Sequence, residues 1–138
     1  MALCPDAIKK LVDRFTEQSD EIRSPDYKEH LIRVNFLDPL MKELGWDVHN
    51  TAGLPLKGRE VYPEDSVQIG GQTNAPDYSF RVGEHRKFFL EAKKPSVNIK
   101  ENWEPACQLR SYGWSAELAV SVLSDFEEFA VYDTRIRP

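Results

Sequence analysis

The stretch that decides the fold is NAPDYSFRVGEHRKFFLEAKKP, residues 74–95. Its first part alternates apolar and polar residues, GEHR changes the direction of the chain, and KFFLEAK returns, which predicts a β-hairpin. Asp77 opens the first strand, and Glu91 and Lys93 lie near the end of the second. A hairpin built only for packing has no need of two acids and a lysine at one end. We therefore expect a functional site there.

Side chains of the returning strand divide between the two faces of the predicted sheet. Residues two apart share a face, so Glu91 and Lys93 point to one side and the apolar residues to the other. The apolar residues are Phe88, Leu90 and Ala92. A turn centred near Glu84 would set Asp77 opposite Glu91. The hairpin is thus expected to bring two carboxylates and one ammonium together.

This charge cluster has two explanations. Two carboxylates a few ångströms apart repel each other, and a divalent cation removes that cost; hard oxygen ligands with open water positions suit Mg²⁺. Lys93 would then lie beside a water of the metal, where it could orient that water or take its proton. Alternatively the residues form a surface ion pair, because Glu and Lys are common residue types.

Length and composition bound the class of protein. A chain of 138 residues has the size of one domain, and its 41% hydrophobic and 30% charged residues are typical of a globular protein. Its apolar runs are far shorter than the ~20 residues needed to span a bilayer, and its first residues do not resemble a signal peptide. Cys4 and Cys107 form no disulfide framework. We expect a cytoplasmic protein with no membrane segment.

The net charge of −5 argues against binding to nucleic acid through bulk electrostatics. Any DNA contact is therefore expected to be local or to be helped by another domain. Zinc is disfavoured because the three histidines lack metal-ligand spacing. The candidate phosphate contacts are Lys57, Arg59, Arg81, Arg86, Lys94, Lys100 and Arg110.

The N-terminal part of the chain is predicted to be helical. Helical spacing favours a first helix over residues 5–22. Its apolar stripe is Ile8, Leu11, Val12 and Phe15. A second helix is expected from Ser24 as N-cap to a stop at Gly45. Because a proline interrupts it, we expect a kink there or a restart with Asp38 as a new cap. Residues 46–49 are predicted to be a short strand.

Loops and a second α/β region make up the remainder. Residues 50–74 are predicted to be irregular, with one short strand through Val67 and Ile69. After the hairpin, a helix is predicted from about Asn102, with Pro105 in its first turn. The segments ELAVSVLSD and EEFAVYD, residues 117–125 and 127–133, are predicted to be strands.

Three motifs together resemble a known family. PD followed by EAK resembles the PD-(D/E)XK phosphodiesterase superfamily, with Asp77, Glu91 and Lys93 at the motif positions. QLRSY, which carries Gln108 and Tyr112, is similar to the Q-x-x-x-Y element of exonuclease-like and restriction-type members. Without the resemblance, these two residues would be read as an ordinary i,i+4 pair.

The third motif, KEHLIRVNFLDPLMKELGW, is similar to the first-helix pattern of certain nuclease domains. These are the N-terminal domains of type I restriction subunit R and of fused, type IIG-like restriction-modification enzymes. The matched positions are Glu29, Arg33, Leu37, Asp38, Pro39, Leu40, Leu44, Gly45 and Trp46. The resemblance covers residues 25 to about 133.

The resemblance implies a fold and a domain organisation. We expect an α/β/α sandwich of the restriction-endonuclease type, with helices flanking a mixed central sheet of about four or five strands. The N-terminal helices would lie on one face and the QLRSY helix on the other. Residues 1–138 would form a single nuclease domain, and the stop just after a strand suggests an N-terminal fragment of a larger protein.

The resemblance also implies an activity, the Mg²⁺-dependent hydrolysis of DNA phosphodiester bonds, with Mn²⁺ as a substitute. Lys93 would position the attacking water, and Gln108 and Tyr112 would brace the site or a phosphate. Glu29 would hold the first metal through water or recruit a second metal. Alternatively, Glu29 is a solvated acid in the first turn of a helix, where it stabilises the helix dipole. The implied metal-binding residues are Asp77, Glu91, Ala92 through its carbonyl, and Glu29.

The implied partners are double-stranded DNA and further domains or subunits for methyl transfer, motor action and specificity. Two alternatives stay open at this point. A DNA-repair or junction-type nuclease would use the same chemistry. A catalytically inactive nuclease fold could serve assembly or binding alone.

Overall fold

Five strands form one mixed sheet in the computed structural model, which describes residues 4–138. The described residues contain seven strands, of which five form this sheet. In chain order they are β1 (Val61–Pro63), β2 (Val67–Ile69), β3 (Gln72–Asn74), β4 (Tyr78–Val82), β5 (His85–Ala92), β6 (Val120–Ser124) and β7 (Phe129–Asp133). The sheet has the order β1-β4-β5-β6-β7, and β2 and β3 form a separate two-stranded ribbon. β5 and β6 are parallel, and the other neighbours are antiparallel.

Helices cover both faces of this sheet. They are α1 (Asp6–Glu17), α2 (Ser19–Ile22), α3 (Glu29–Ile32), α4 (Asp38–Glu43) and α5 (Trp103–Ser115). A π-helical segment, Arg33–Leu37, joins α3 to α4, and a 3₁₀ turn spans Leu56–Gly58. The fold is therefore α/β with helices on both sides of a mixed sheet, as predicted and as a restriction-endonuclease-like fold requires. Within residues 4–138, no helix has the length and apolarity to cross a membrane.

The hairpin has the predicted register. Tyr78 pairs with Leu90, which sets the preceding Asp77 beside Glu91. The turn is tighter than the predicted GEHR, because β5 already begins at His85. Gly83 has a φ of 62°, a backbone conformation that glycine adopts without steric cost.

The alternation along β5 divides its side chains between two cores, as predicted. Leu90 packs in one cluster with Met41 of α4 and with Val61, Tyr78 and Phe80 of the neighbouring strands. Phe89 packs on the opposite face with Leu109 and Tyr112 of α5. The helix layers are therefore on the sides that the sequence predicts, and the predicted α5, β6 and β7 are confirmed.

The predicted first helix is shorter than expected. It ends at Glu17, and the chain turns at Gln18, with φ −100° and ψ 14°, before the short α2. Of the predicted apolar stripe, Leu11 and Phe15 are buried, whereas Val12 is 49% exposed. Val12 instead faces an open apolar groove beside β7.

Neither predicted cap of the second helix forms. The Ser24 hydroxyl accepts a hydrogen bond from the Asp26 N–H (3.2 Å), and this local turn replaces the predicted start; the helix begins only at Glu29. Asp38 has helical angles, and its N–H donates to the Arg33 carbonyl. A new α-helix does begin at Asp38, because Pro39 lies in its first turn, where a missing N–H costs nothing.

The predicted strand at residues 46–49 was wrong. The Val48 N–H donates to the Trp46 carbonyl (3.0 Å), so the backbone turns there instead of extending. The carboxylate of Asp47 then accepts from the Thr51 N–H (2.8 Å) and caps the following loop. The helix does stop at Gly45, as predicted, with a φ of 103°.

A buried ion cluster holds the loop before β2 against the hairpin. Asp65 accepts from Arg81 (2.5 Å), from Arg86 (2.7 and 2.8 Å) and from the hydroxyl of Ser79 (2.8 Å). Burial disfavours its charge, but the bonds from Arg86 and Arg81 outweigh this and lower the pKa of Asp65. Both arginines were predicted phosphate contacts, and this structural pairing removes them from that role.

We predict that Asp65→Ala lowers the free energy of unfolding by about 3 kcal/mol, because the buried guanidinium of Arg81 and the partly buried one of Arg86 lose their partner. The measurement is urea denaturation at neutral pH. Asp133→Ala, which removes the carboxylate of the exposed Asp133–Arg135 pair, is the control and should change stability little. An Asp65 variant as stable as this control would contradict the account of the cluster.

Candidate active site

Asp77 is held on both carboxylate oxygens at the point where β4 begins. Its Oδ2 accepts from the Ala92 backbone N–H (2.8 Å), a bond that the hairpin register makes possible. Its Oδ1 lies 3.4 Å from a guanidinium nitrogen of Arg33. The side chain is therefore fixed in one orientation by the partner strand and by the N-terminal helix layer.

Glu91 is the second acid of the pair, and it is 7% exposed. It lies beside Asp77, because the register of β4 against β5 brings the two positions together. Burial, and secondarily the charge of Asp77, raise the pKa of Glu91 to about 9, while Lys93 partly offsets this. The predicted juxtaposition of the two acids is confirmed, and without a cation it favours the protonated form of Glu91.

Lys93 and Glu29 form the outer part of the site. The Lys93 Nζ lies 3.8 Å from the Glu29 Oε1, so the lysine pairs with the acid of α3. Both line a polar cleft of about 390 Å³ between α3 and the start of α5. The other residues lining it are Val97, Asn102, Glu104, Pro105 and Gln108. The cleft therefore exposes Lys93 and Glu29 to solvent, two residues along β5 from Glu91.

Gln108 and Tyr112 lie one turn apart on α5, between the cleft and the two acids. Gln108 is exposed and lines the cleft, whereas Tyr112 is buried. Burial, and then the nearby Glu91 and Asp77, raise the pKa of Tyr112. Tyr112 is therefore close enough to both acids to feel their charge, which an i,i+4 pair on the surface would not be.

The donor set fits a hard divalent cation. It consists of the carboxylates of Asp77 and Glu91 and the backbone carbonyl of Ala92, and oxygen ligands of this kind suit Mg²⁺ or Mn²⁺ with water completing the shell. Within residues 4–138, no three side chains of His, Cys, Asp or Glu are grouped as metal ligands. Glu29 therefore does not form a three-acid cluster with the pair, and its role as a ligand stays a prediction.

Arg33 is the residue whose role the sequence did not reveal. It was matched only as a position in the first-helix pattern, yet the structure places its guanidinium on Asp77. Its spacing of four from Glu29 puts both residues on one helix face, which is the signal that could have identified it.

A larger groove of about 510 Å³ opens between α1 and β7. Its lining is mainly apolar, and its charged residues are Arg23 and Glu127, which pair with each other at 2.6 Å. It offers no pair of unneutralised acids. The smaller polar cleft is therefore the better candidate for chemistry.

A comparison with known proteins finds a similar segment in a longer enzyme. Over 130 residues, 93% of its length, the chain is 48% identical to the type II restriction enzyme and methyltransferase RM.Eco57I of Escherichia coli. The chain is related to a restriction enzyme. It spans 13% of the length of RM.Eco57I, so the similarity concerns one segment of that enzyme. No family model matches the chain, and no solved structure matches it.

The raised pKa of Glu91 predicts an unusual pH dependence of stability. Between the ordinary carboxyl value of 4.5 and about 9, the folded protein binds this proton more tightly than the unfolded chain does. In EDTA, the free energy of unfolding should therefore fall as pH rises through this window. Glu91→Gln should remove much of this slope and raise stability at the alkaline end.

The measurement is urea denaturation at several pH values with and without the substitution. Glu21→Gln, which alters a carboxylate exposed on α2, is the control and should keep the wild-type slope. Wild-type protein and Glu91→Gln with the same pH dependence would show that Glu91 is not protonated in the folded state.

Proposed function

We propose that this domain hydrolyses DNA phosphodiester bonds with the help of Mg²⁺ and is a PD-(D/E)XK nuclease. The observation that carries the proposal is the partly buried Asp77 next to the buried Glu91, with Lys93 nearby at the edge of a polar cleft. Two adjacent, poorly solvated carboxyl groups are costly for stability alone, and their cost is removed when a divalent cation occupies the site. The relationship to a restriction enzyme supports the same activity.

Asp77 and Glu91 would hold Mg²⁺ together with the Ala92 carbonyl, and Glu29 would contribute through water or through a second ion. Bound Mg²⁺ supplies charge stabilisation for the phosphate and lowers the pKa of a coordinated water. Ala92 serves the site twice in this proposal, because its N–H already fixes Asp77.

Lys93 would orient the attacking water and donate a hydrogen bond to a phosphate oxygen. For this it must exchange its long contact with Glu29, at 3.8 Å, for contacts with the substrate. Gln108 would contact a phosphate from the cleft, and Tyr112 would brace Glu91 from the α5 side. All of these groups act on charge that develops at the phosphate, which is how such sites lower barriers.

We also propose that the domain is the cleavage module of a larger restriction-modification protein. RM.Eco57I is a restriction enzyme and a methyltransferase in one chain, and the similarity covers a small part of it. A net charge of −5 gives this domain little general affinity for DNA, so double-stranded DNA would be delivered by neighbouring domains for methyl transfer, motor action or specificity.

The role of Lys93 distinguishes a nuclease from an inactive relative. Lys93→Ala should leave Mg²⁺ and Mn²⁺ binding close to wild type and reduce nicking of supercoiled plasmid about a hundredfold or more. Calorimetric titration with each metal and a plasmid nicking assay in Mn²⁺ are the two measurements. Lys87→Ala is the matched control, because Lys87 is exposed near the other end of β5 and does not line the cleft.

Asp77→Asn should abolish both nicking and the rise in melting temperature that the metals cause. Wild-type protein that binds neither metal would contradict the proposal and favour an inactive assembly domain. Nicking by Lys93→Ala at the wild-type rate would remove the lysine from the mechanism. Cleavage of branched but not of linear duplex DNA would favour a repair or junction nuclease instead.

A further inference from the structure

Arg33 makes two contacts with Asp77 that have different consequences. One guanidinium nitrogen lies 3.4 Å from the carboxylate Oδ1, and the other lies 3.4 Å from the backbone carbonyl oxygen of the same residue. The first contact restrains the side chain, and the second restrains the peptide that leads into β4. A planar guanidinium can span both acceptors at once, and an ammonium cannot.

Arg33 is itself held in place from two directions. Its guanidinium carbon lies 4.7 Å from the centre of the Tyr78 ring, in a cation–π contact. The Tyr78 hydroxyl donates a hydrogen bond to Asp38, at the start of α4. Asp38, Tyr78, Arg33 and Asp77 thus form one continuous chain of contacts between the N-terminal helix layer and the first strand of the hairpin.

The backbone that carries Arg33 is irregular. Arg33 begins the π-helical segment Arg33–Leu37, and such segments occur frequently at functional sites. Its Nε is buried and has no hydrogen-bond partner among the described residues. A guanidinium kept in this position at the cost of an unsatisfied donor is oriented for its contact with Asp77 and not for its own solvation.

We infer that Arg33 is a positioning residue that fixes Asp77 in its ligand conformation before a cation binds. The inference rests on the proposed metal site and adds a residue to which no role has been assigned. Two effects of Arg33 oppose each other: its positive charge repels a cation, and its two contacts hold a ligand in place. The orienting effect is the larger, because the other group that holds the Asp77 carboxylate among the described residues is the Ala92 N–H, which bonds to one oxygen.

The two effects predict opposite results for substitution. If orientation dominates, Arg33→Met and Arg33→Lys both weaken Mn²⁺ binding, by about tenfold to a hundredfold, the usual effect of losing a group that orients a metal ligand. If charge repulsion dominates, Arg33→Met binds Mn²⁺ more tightly and Arg33→Lys behaves like wild type. Calorimetric titration with Mn²⁺, well below the melting temperature of each variant, measures the difference.

Arg23→Met is the matched control. Arg23 also pairs with an acid, Glu127 (2.6 Å), and also lies over an aromatic ring, that of Phe15 (5.8 Å), but it is remote from the cleft. It should change stability without changing the affinity for Mn²⁺. Tyr78→Phe keeps the ring under Arg33 and removes the bond to Asp38, so it should weaken Mn²⁺ binding less than either Arg33 variant.

The outcomes separate the inference from the proposed function. Wild-type protein that binds no Mn²⁺ overturns both. Wild-type binding with unchanged affinity in both Arg33 variants overturns the inference alone and leaves the nuclease proposal standing. Lower melting temperatures in the Arg33 variants with unchanged Mn²⁺ affinity would assign Arg33 a purely structural role.

Discussion

The pairing of β4 with β5 places the partly buried carboxyl group of Asp77 beside the buried one of Glu91, and the rest of the site is arranged around that constraint. Tyr78 opposite Leu90 leaves Asp77 next to Glu91. Two like charges in a poorly solvated place are unfavourable, and the fold reduces their cost with the Ala92 N–H, the Arg33 guanidinium and a proton on Glu91. These partners keep the pair together without a cation, and the same arrangement is what a divalent ion would occupy.

The two helix layers contribute different parts of this arrangement. The N-terminal layer supplies Arg33 to Asp77 and Glu29 to Lys93, whereas α5 supplies Tyr112 beside Glu91 and Gln108 in the cleft. The site therefore lies where both layers meet the ends of β4 and β5. It is complete only when both layers are packed, so a change that loosens either layer is expected to disturb the acids as well.

Much of the fold and the position of the two acids could be predicted from the sequence, because they depend on patterns between residues close together in the chain. The period-two alternation fixes which side of β5 carries Glu91, and the short turn at Gly83 fixes its register against Asp77. Other features depend on competition that a linear pattern does not reveal. Ser24 makes a turn of its own in place of a helix cap, and Trp46 to His49 turn instead of extending. The contacts of Arg33 and Asp65 join residues far apart in the chain, so no local pattern predicts them.

The central claim is that the Asp77–Glu91 pair is a divalent cation site. Anomalous diffraction from crystals of the chain soaked in Mn²⁺ tests it most directly. The account predicts one strong peak within about 2–2.5 Å of a carboxylate oxygen of each acid, a distance typical of hard cations with oxygen ligands. It also predicts that Asp77→Asn crystals treated in the same way lack the peak. Wild-type crystals with no peak between the two acids, or with manganese bound only elsewhere, would contradict the claim.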